Sequence, residues 1–152
     1  MLYFEDLTPG LRFTTDSTTV QADDIHAFAS QFDPQYFHLD DGKAQGSIFQ
    51  GLAASGWHTS SLSMRLVVES EFGRSVAGGL VGMGVDKMRW PRPTRAGDIL
   101  RASIEVLSGK SSASQPDYGV VKLRWTTHNQ HQQEVMSLET AIWVPLRQPA
   151  AS

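Results

Sequence analysis

The sequence predicts an α+β domain in which one curved antiparallel sheet covers one buried helix. Two observations carry this prediction: helical patterns lie in the first half of the chain, and beyond Gly73 apolar residues recur at every second position. A length of 152 residues with 40% hydrophobic content suits a single domain. We assign that domain to residues 1–146 and expect the tail "RQPAAS", residues 147–152, to be disordered.

The first predicted helix lies in "ADDIHAFASQFDP", residues 22–34. Apolar residues recur at i, i+3, i+4 and i+7 from Ile25 to Phe32, and two aspartates stand near the start, where a helix dipole favours negative charge. The helix should end at Asp33, because the residue before Pro34 is disfavoured in helical conformations. Asp33 therefore begins a loop.

A second helix is expected from Ala53 to Phe72, a stretch without proline between Gly51 and Gly73. Its periodicity also fits a strand, because residues 62, 64, 66 and 68 are all apolar and alternate. We favour a buried helix, since the small residues of "AASGWHTSSL" permit close contact with a surrounding sheet.

Four strands are expected where apolar and polar residues alternate. They cover Leu80 to Met88, Leu100 to Val106, Val121 to Trp125 and Met136 to Val144. Turns are indicated by "RAGD" at 95–98, "SGKSSASQPDYG" at 108–119 and "HNQHQQ" at 128–133. Such a sheet has edges to protect, and edge pairing between two copies predicts a homodimer or a higher homo-oligomer.

Composition narrows the classes of function. The chain has no cysteine, which excludes disulfides and thiol nucleophiles, and it has no apolar run long enough to span a bilayer. The first residues, "MLYFEDLTPG", carry acids where a secretory signal carries basic residues, so we expect a cytoplasmic protein. A net charge of −3 argues against a broad nucleic-acid surface, although basic residues concentrate between residues 87 and 101.

The stretch "FDPQYFHLD", residues 32–40, places a carboxylate five residues before an imidazole. If the residues between them fold back, Asp33 and His38 can share one water as a base and acid pair. The alternative is an ordinary turn, because aspartate before proline commonly forms turns and a single loop histidine is usually only hydrogen-bonded.

The start of the second helix is the other candidate for chemistry. Free backbone N–H groups there, with the helix dipole, can stabilise an oxyanion, and Gly56 is the best donor. Packing against the sheet explains that glycine equally well. His58 could face the same cavity, but a core histidine bonded to a carbonyl is the favoured interpretation. A metal site built from His26, His38 and His58 is disfavoured, since no tight ligand pair is present.

Three segments together resemble a known family. "FDPQYFHLD", "IFQGLAASGWHT" and "RWPRPTRAGDIL" are similar to the MaoC-like dehydratases, relatives of the (R)-specific enoyl-CoA hydratases of the hotdog fold. The resemblance extends from about Asp6 to Val144. In the family motif D-x-N-P-[LIV]-H, Asp33 and His38 match the catalytic pair, which implies that they activate one water. Gly56 matches the glycine whose N–H binds the thioester oxygen.

The chain departs from that motif at the asparagine and proline positions. Gln35 stands in place of the asparagine and Tyr36 in place of the proline, while Pro34 lies two residues earlier. The acyl pocket should therefore differ from that of a straight-chain hydratase, with Tyr36 and Phe37 shortening or redirecting it. Further expected pocket residues are Gln35, Ser55, Trp57 and His58.

The resemblance implies reversible hydration of a trans-2-enoyl thioester to a 3-hydroxyacyl thioester, a lyase reaction of fatty acid metabolism. No separate cofactor is expected, because coenzyme A is part of the substrate, although an acyl carrier protein could take its place. The expected contacts to the carrier's phosphates are Lys87, Arg89, Arg92 and Arg95; a solvated strand face is the alternative for them. A hotdog thioesterase and a non-catalytic acyl-CoA-binding protein remain alternatives for the chain.

Overall fold

A computed structural model describes residues 1–148 and contains one five-stranded antiparallel sheet with several helices, which confirms the α+β class. The strands are β1 (Arg12–Thr19), β2 (Val81–Arg89), β3 (Ile99–Ser111), β4 (Tyr118–His128) and β5 (Glu134–Pro145), in the sheet order β1-β3-β4-β5-β2. The helices are α1 (Ala22–Phe32), α2 (Tyr36–Leu39), α3 (Asp41–Ala44), α4 (Gly56–Glu69) and α5 (Glu71–Ser75), and a 3-10 turn covers Phe4–Asp6.

The core lies between the inner face of the sheet and helix α4. Alternate residues of β3, such as Ala102, Ile104 and Val106, point inward and are fully buried, as the period-two pattern predicts. They pack with Val67 and Phe72 from the helical side. Burial of a side chain as large as Phe72 contributes about 2–3 kcal/mol.

The long helix begins and ends inside its predicted range. The strand alternative for residues 62–68 is wrong, because Leu66 is buried while Met64 and Val68 are about half exposed, which is the i, i+4 pattern of a helix. The helix stops at Ser70, whose extended backbone interrupts it and whose hydroxyl accepts the Gly73 N–H at 3.2 Å to begin α5.

Strand β1 is absent from the predicted elements. Its sequence, "RFTTDSTT", is too polar to alternate clearly, and its pairing with β3 shifts register between Thr14 and Ser17. Thr15 nevertheless occupies an inward position, where its hydroxyl accepts the Ala102 N–H at 3.0 Å. A buried threonine satisfied by the neighbouring strand therefore replaces the apolar residue that the pattern requires.

A row of alternating charges crosses the outer face of the sheet. Glu105 contacts Arg12 at 3.0 Å and Arg124 at 3.8 Å, and Glu139 contacts Lys87 and Lys122 at 3.3 Å each. Burial would raise the pKa of the Glu139 carboxyl, but its bonds to the two lysines outweigh that effect and lower the pKa. The outer face is therefore polar and internally paired.

Edge strand β2 and helix α4 both expose apolar side chains. Edge strand β2 carries Val81, Met83 and Val85, and the outward stripe of α4 carries Trp57 and Met64, all at least 44% exposed. We call these residues, with Val68, the β2–α4 surface.

The two ends of the described chain meet. The Arg147 backbone N–H donates to Glu5 at 3.0 Å, and its guanidinium pairs with Asp6. The predicted disorder of the tail falls mostly on residues 149–152, which lie outside the described residues. Across residues 1–148, no helix combines the length and the hydropathy that crossing a membrane requires.

Candidate active site

Asp33 ends helix α1, as the proline after it predicts. Its backbone N–H donates to the Ala29 carbonyl at 2.9 Å, and its backbone then leaves the helical region with a φ of −150°. The side chain is thereby held at a fixed point beside the start of α4.

His38 lies on a single helical turn, α2, and not on the loop that the sequence predicts. The Gln35 N–H donates to the Asp33 carbonyl at 2.7 Å, and the His38 N–H donates to the Gln35 carbonyl at 3.0 Å. This turn folds the chain back on itself, and the His38 Nε2 atom comes within 3.4 Å of Asp33 Oδ2. The convergence that the motif requires is therefore present.

The Asp33 carboxylate is held by two donors. The Ser55 hydroxyl donates to Oδ2 at 2.8 Å, and the Gln35 amide donates to Oδ1 at 2.6 Å. Burial would raise the pKa of the Asp33 carboxyl, but these two hydrogen bonds, with a smaller contribution from His38, outweigh burial and lower the pKa. The group is therefore an ionised acceptor at neutral pH.

The orientation of His38 is set by a main-chain carbonyl. His38 Nδ1 lies 2.6 Å from the Ala53 oxygen, which can only accept, so Nδ1 carries the hydrogen. In the neutral ring, Nε2 then presents a lone pair on the side of Asp33 Oδ2. The pair thus offers two acceptors 3.4 Å apart to a molecule with two O–H groups.

Gly56 is the first residue of α4. Both its backbone N–H and its lack of a side chain matter for the site. No protein acceptor in residues 1–148 bonds its backbone N–H, which stands at the positive end of the helix dipole. A Cβ at this position would lie 2.5 Å from Cδ2 of Trp90. The packing explanation and the donor explanation of the glycine are therefore compatible.

His38 and Gly56 line one cleft of about 680 Å³. Its apolar wall includes Phe37, Phe49 and Trp90, and Gln35 also lines it. Asp33 is not among its lining residues but lies behind Gln35 and His38, with its side chain 20% exposed. Phe49, Trp90 and the Ala53 carbonyl have no signal in the sequence that singles them out.

The other predicted pocket residues have different positions. Ser55 is buried against Asp33, and Phe37 lines the cleft. Tyr36 is 49% exposed and packs edge-on against Phe37, and Trp57 is 60% exposed outside the cleft. The expectation that Tyr36 narrows the pocket directly is therefore unsupported by its position.

His58 does not line the cleft. It is buried and stacks on Phe28 with ring centroids 4.9 Å apart. A core histidine was the favoured interpretation, but the expected carbonyl partner is missing, because Nδ1 has no hydrogen-bond partner among residues 1–148. Burial lowers the pKa of its imidazole, and nearby Asp24 opposes that effect only in part. Residues 1–148 also contain no group of three or more potential metal ligands.

The four predicted phosphate contacts divide into two pairs. Arg92 and Arg95 line the cleft, whereas Lys87 and Arg89 line a separate pocket on the outer face of the sheet. Lys87 is also paired with Glu139. A role for Lys87 and Arg89 at the cleft is thus unsupported, because they belong to the outer face at the end of β2.

A family model matches most of the chain. The family model of the MaoC like domain matches residues 7–129. The chain belongs to this family. The MaoC-like chain is 32% identical to the uncharacterized protein YdeM of Bacillus subtilis over 141 residues, which is 92% of this chain and 96% of YdeM.

Solved structures agree with that assignment. The crystal structure of the MaoC-like dehydratase from Rhodospirillum rubrum is 43% identical with a TM-score of 0.91, covering 97% of this chain and 99% of that one. The R-hydratase PhaJ1 from Pseudomonas aeruginosa is 22% identical with a TM-score of 0.72, covering 99% and 95%, and shows likeness of fold alone. The resemblance seen in the sequence and its hotdog fold are confirmed.

Proposed function

We propose that this MaoC-like protein catalyses the reversible hydration of a trans-2-enoyl thioester. One observation carries the proposal: Asp33 Oδ2 and His38 Nε2 lie 3.4 Å apart, with Nδ1 of the same ring anchored to Ala53. Two facts support it: the chain belongs to the MaoC-like family, and the Gly56 N–H, which bonds no acceptor among residues 1–148, belongs to a residue that lines the same cleft as His38.

In the hydration direction, a water donates one O–H to Asp33 and the other to His38. Asp33 removes a proton as the water oxygen bonds to C3 of the substrate, and the electrons of the double bond move toward the thioester carbonyl. That proton reaches C2 through His38 on the same face. One water supplies both the hydroxyl and the hydrogen, so the step is redox-neutral and uses no separate cofactor.

The Gly56 N–H would receive the oxygen of the thioester as negative charge develops on it. Its position at the start of α4 adds the helix dipole to the hydrogen bond. Removal of such a donor from an active site costs about 3–4 kcal/mol of transition-state stabilisation. The apolar wall of the cleft would hold the acyl chain beside it.

The carrier of the thioester, coenzyme A or an acyl carrier protein, holds the acyl group on an arm that bears phosphate. Arg92 is the best candidate to meet it: its side chain is exposed at the cleft, between Pro91 and Pro93, and has no ion pair among residues 1–148. Flanking prolines restrict the backbone there, which reduces the entropy lost on binding.

A homodimer formed through the β2–α4 surface is part of the proposal. One side of edge strand β2 pairs with no strand of residues 1–148. The strand also exposes the side chains of Val81, Met83 and Val85. A second copy would pair that edge and cover the apolar side chains, which is how exposed sheet edges are commonly protected. Sedimentation of the purified protein would show a dimer that Val85→Lys dissociates.

The enzymatic test follows the absorbance of the conjugated enoyl group while purified protein acts on crotonyl-CoA. Activity should be lost in Asp33→Asn and His38→Ala. Asp23→Asn and His26→Ala remove the same groups from the exposed side of α1 and serve as matched controls that keep activity. Turnover that survives in both site variants would reject the assignment. Release of free thiol would instead identify a thioesterase, and binding without turnover would identify a non-catalytic acyl-CoA-binding protein.

A further inference from the structure

We propose that Arg95 is a positioning residue that fixes the catalytic orientation of His38. The inference rests on the proposed hydratase function for its consequence on rate, but its structural part concerns His38 alone. It assigns different roles to Arg92 and Arg95, which line the same cleft and look equivalent in the sequence.

The guanidinium of Arg95 is committed to main-chain carbonyls. Nη1 donates to the Leu52 carbonyl at 3.1 Å, and Nη2 donates to the Phe49 carbonyl. Two carbonyls of one loop are therefore bridged by a single planar fork, a geometry that lysine cannot reproduce. A guanidinium so bonded is poorly available to a phosphate.

The loop that Arg95 bridges needs an external support. Gln50 has a φ of 56° and Gly51 a φ of 152°, so two successive residues adopt left-handed or unusual conformations. A Cβ on Gly51 would lie 3.3 Å from Nη1 of Arg95, which shows how closely the guanidinium is seated on this turn.

The bridged loop leads directly to the carbonyl that orients the histidine. Ala53 follows Leu52, and its oxygen accepts from His38 Nδ1 at 2.6 Å, while its N–H donates to the Phe37 carbonyl at 3.1 Å. Phe49 packs near the His38 ring, with centroids 6.1 Å apart. Displacement of the loop would therefore move both the carbonyl and a ring that contact His38.

Arg95 is itself tied to the sheet. Its backbone N–H donates to Asp98 Oδ2 at 2.9 Å, and Gln130 donates to the other oxygen of Asp98 at 3.0 Å. The preceding carbonyl, of Thr94, accepts the Ala54 N–H at 2.8 Å. The support thus extends from the start of β3 to the loop beside the catalytic pair.

Loss of this support has a specific chemical consequence. Without the Ala53 carbonyl in place, the hydrogen on His38 is free to move to Nε2, where it would point at Asp33 Oδ2. The His38 Nε2–H would then donate to Asp33, and Nε2 could no longer accept from a water. Arg95 therefore keeps the pair open for substrate by fixing the tautomer.

The test combines ring-nitrogen NMR with kinetics. A long-range ¹H–¹⁵N spectrum distinguishes the two tautomers of each imidazole, and His38→Gln assigns the His38 signals among the five histidines. In the wild type we expect the Nδ1–H tautomer. Arg95→Ala, and Arg95→Lys as a milder change that preserves the charge, should populate Nε2–H. Arg92→Ala removes an equal charge from the same cleft and should leave the His38 spectrum unchanged.

In turnover, Arg95→Ala should lower kcat about 100-fold, the scale expected for misplacement of a catalytic group, and Arg95→Lys should lower it by less. The loss should be equal for crotonyl-CoA and for the crotonyl thioester of N-acetylcysteamine, which carries no phosphate. A wild-type His38 spectrum in folded Arg95 variants would overturn the proposal. So would a loss confined to KM for the CoA thioester, which would make Arg95 a phosphate contact. An inactive wild type would refute the hydratase function while the spectrum still decides the role of Arg95.

Discussion

Gly56→Ala tests the start of α4 most directly. The new Cβ would lie 2.5 Å from Cδ2 and 2.6 Å from Cε2 of Trp90, whereas carbon atoms pack at about 3.5–4.0 Å. The helix start or the indole must therefore move by about 1 Å. The indole N–H of Trp90 donates to the Ser60 hydroxyl at 3.0 Å, which holds the ring, so we expect the helix start to shift, at the lower end of the overpacking cost, about 1 kcal/mol.

That displacement should affect catalysis more than stability. A loss of about 1 kcal/mol lowers the Tm of a domain of this size by about 2–4 °C. A shift of about 1 Å in the Gly56 N–H should lower kcat about 100-fold, because the donor would miss the thioester oxygen. Calorimetry and the crotonyl-CoA assay measure the two quantities on the same sample.

A matched variant controls for the added methyl group. In Gly46→Ala the Cβ would lie 3.8 Å from the Lys43 carbonyl oxygen, an ordinary contact, so activity and Tm should stay at wild-type values. Wild-type kcat in Gly56→Ala would refute the assigned role of this N–H. If Trp90→Leu does not relieve the loss of stability, the clash with the indole is not its cause.

Three further predictions concern other parts of the chain. In Ser55→Ala the carboxylate of Asp33 loses a hydrogen bond that lowers its pKa, so the acid limb of kcat/KM should move to higher pH; an unmoved limb would contradict this. Because burial lowers the pKa of His58 below the usual 6.5, the unfolded chain binds more protons below that pH and stability falls on acidification. In His58→Phe, the free energy of unfolding measured in urea should depend less on pH between pH 8 and pH 5 than it does in the wild type. In Gly119→Ala the Cβ would lie 2.1 Å from Cδ2 of Phe4, so the N-terminal turn must move, at about 1–3 kcal/mol in the free energy of unfolding. An unchanged midpoint in urea would argue against that packing.

The sequence predicts those parts of the fold in which side chains alone decide the structure. Strands β3, β4 and β5 follow the alternation, and Pro34 ends α1 at Phe32 as expected. Strand β1 could not be predicted from the alternation, because the inward Thr15 is polar and is stabilised by a hydrogen bond to the main chain of β3. The turn at α2 is too short for any helical period to show.

The same distinction applies to the candidate site. Asp33 and His38 can be found from their spacing and from the family motif. The Ala53 carbonyl that orients the histidine cannot, because every residue has a carbonyl. Gln35, which departs from the motif, turns out to donate a hydrogen bond to Asp33, so the departure alters the support of the carboxylate and leaves the pair intact.

Arg92 and Arg95 show the limit of reading charge from a sequence. They lie three residues apart and line one cleft, yet one is bonded to two carbonyls and the other has no ion pair among residues 1–148. Only the path of the loop at residues 49–52 separates them, and that path depends on a residue in the left-handed region.

The contact between Trp90 and Gly56 gives this protein a natural optical reporter. The indole lies on the first residue of α4, lines the cleft, and meets the ring of Trp57 with centroids 5.5 Å apart. A thioester that enters the cleft would change the surroundings of this ring pair, so quenching of tryptophan emission should follow occupancy in real time without any attached dye.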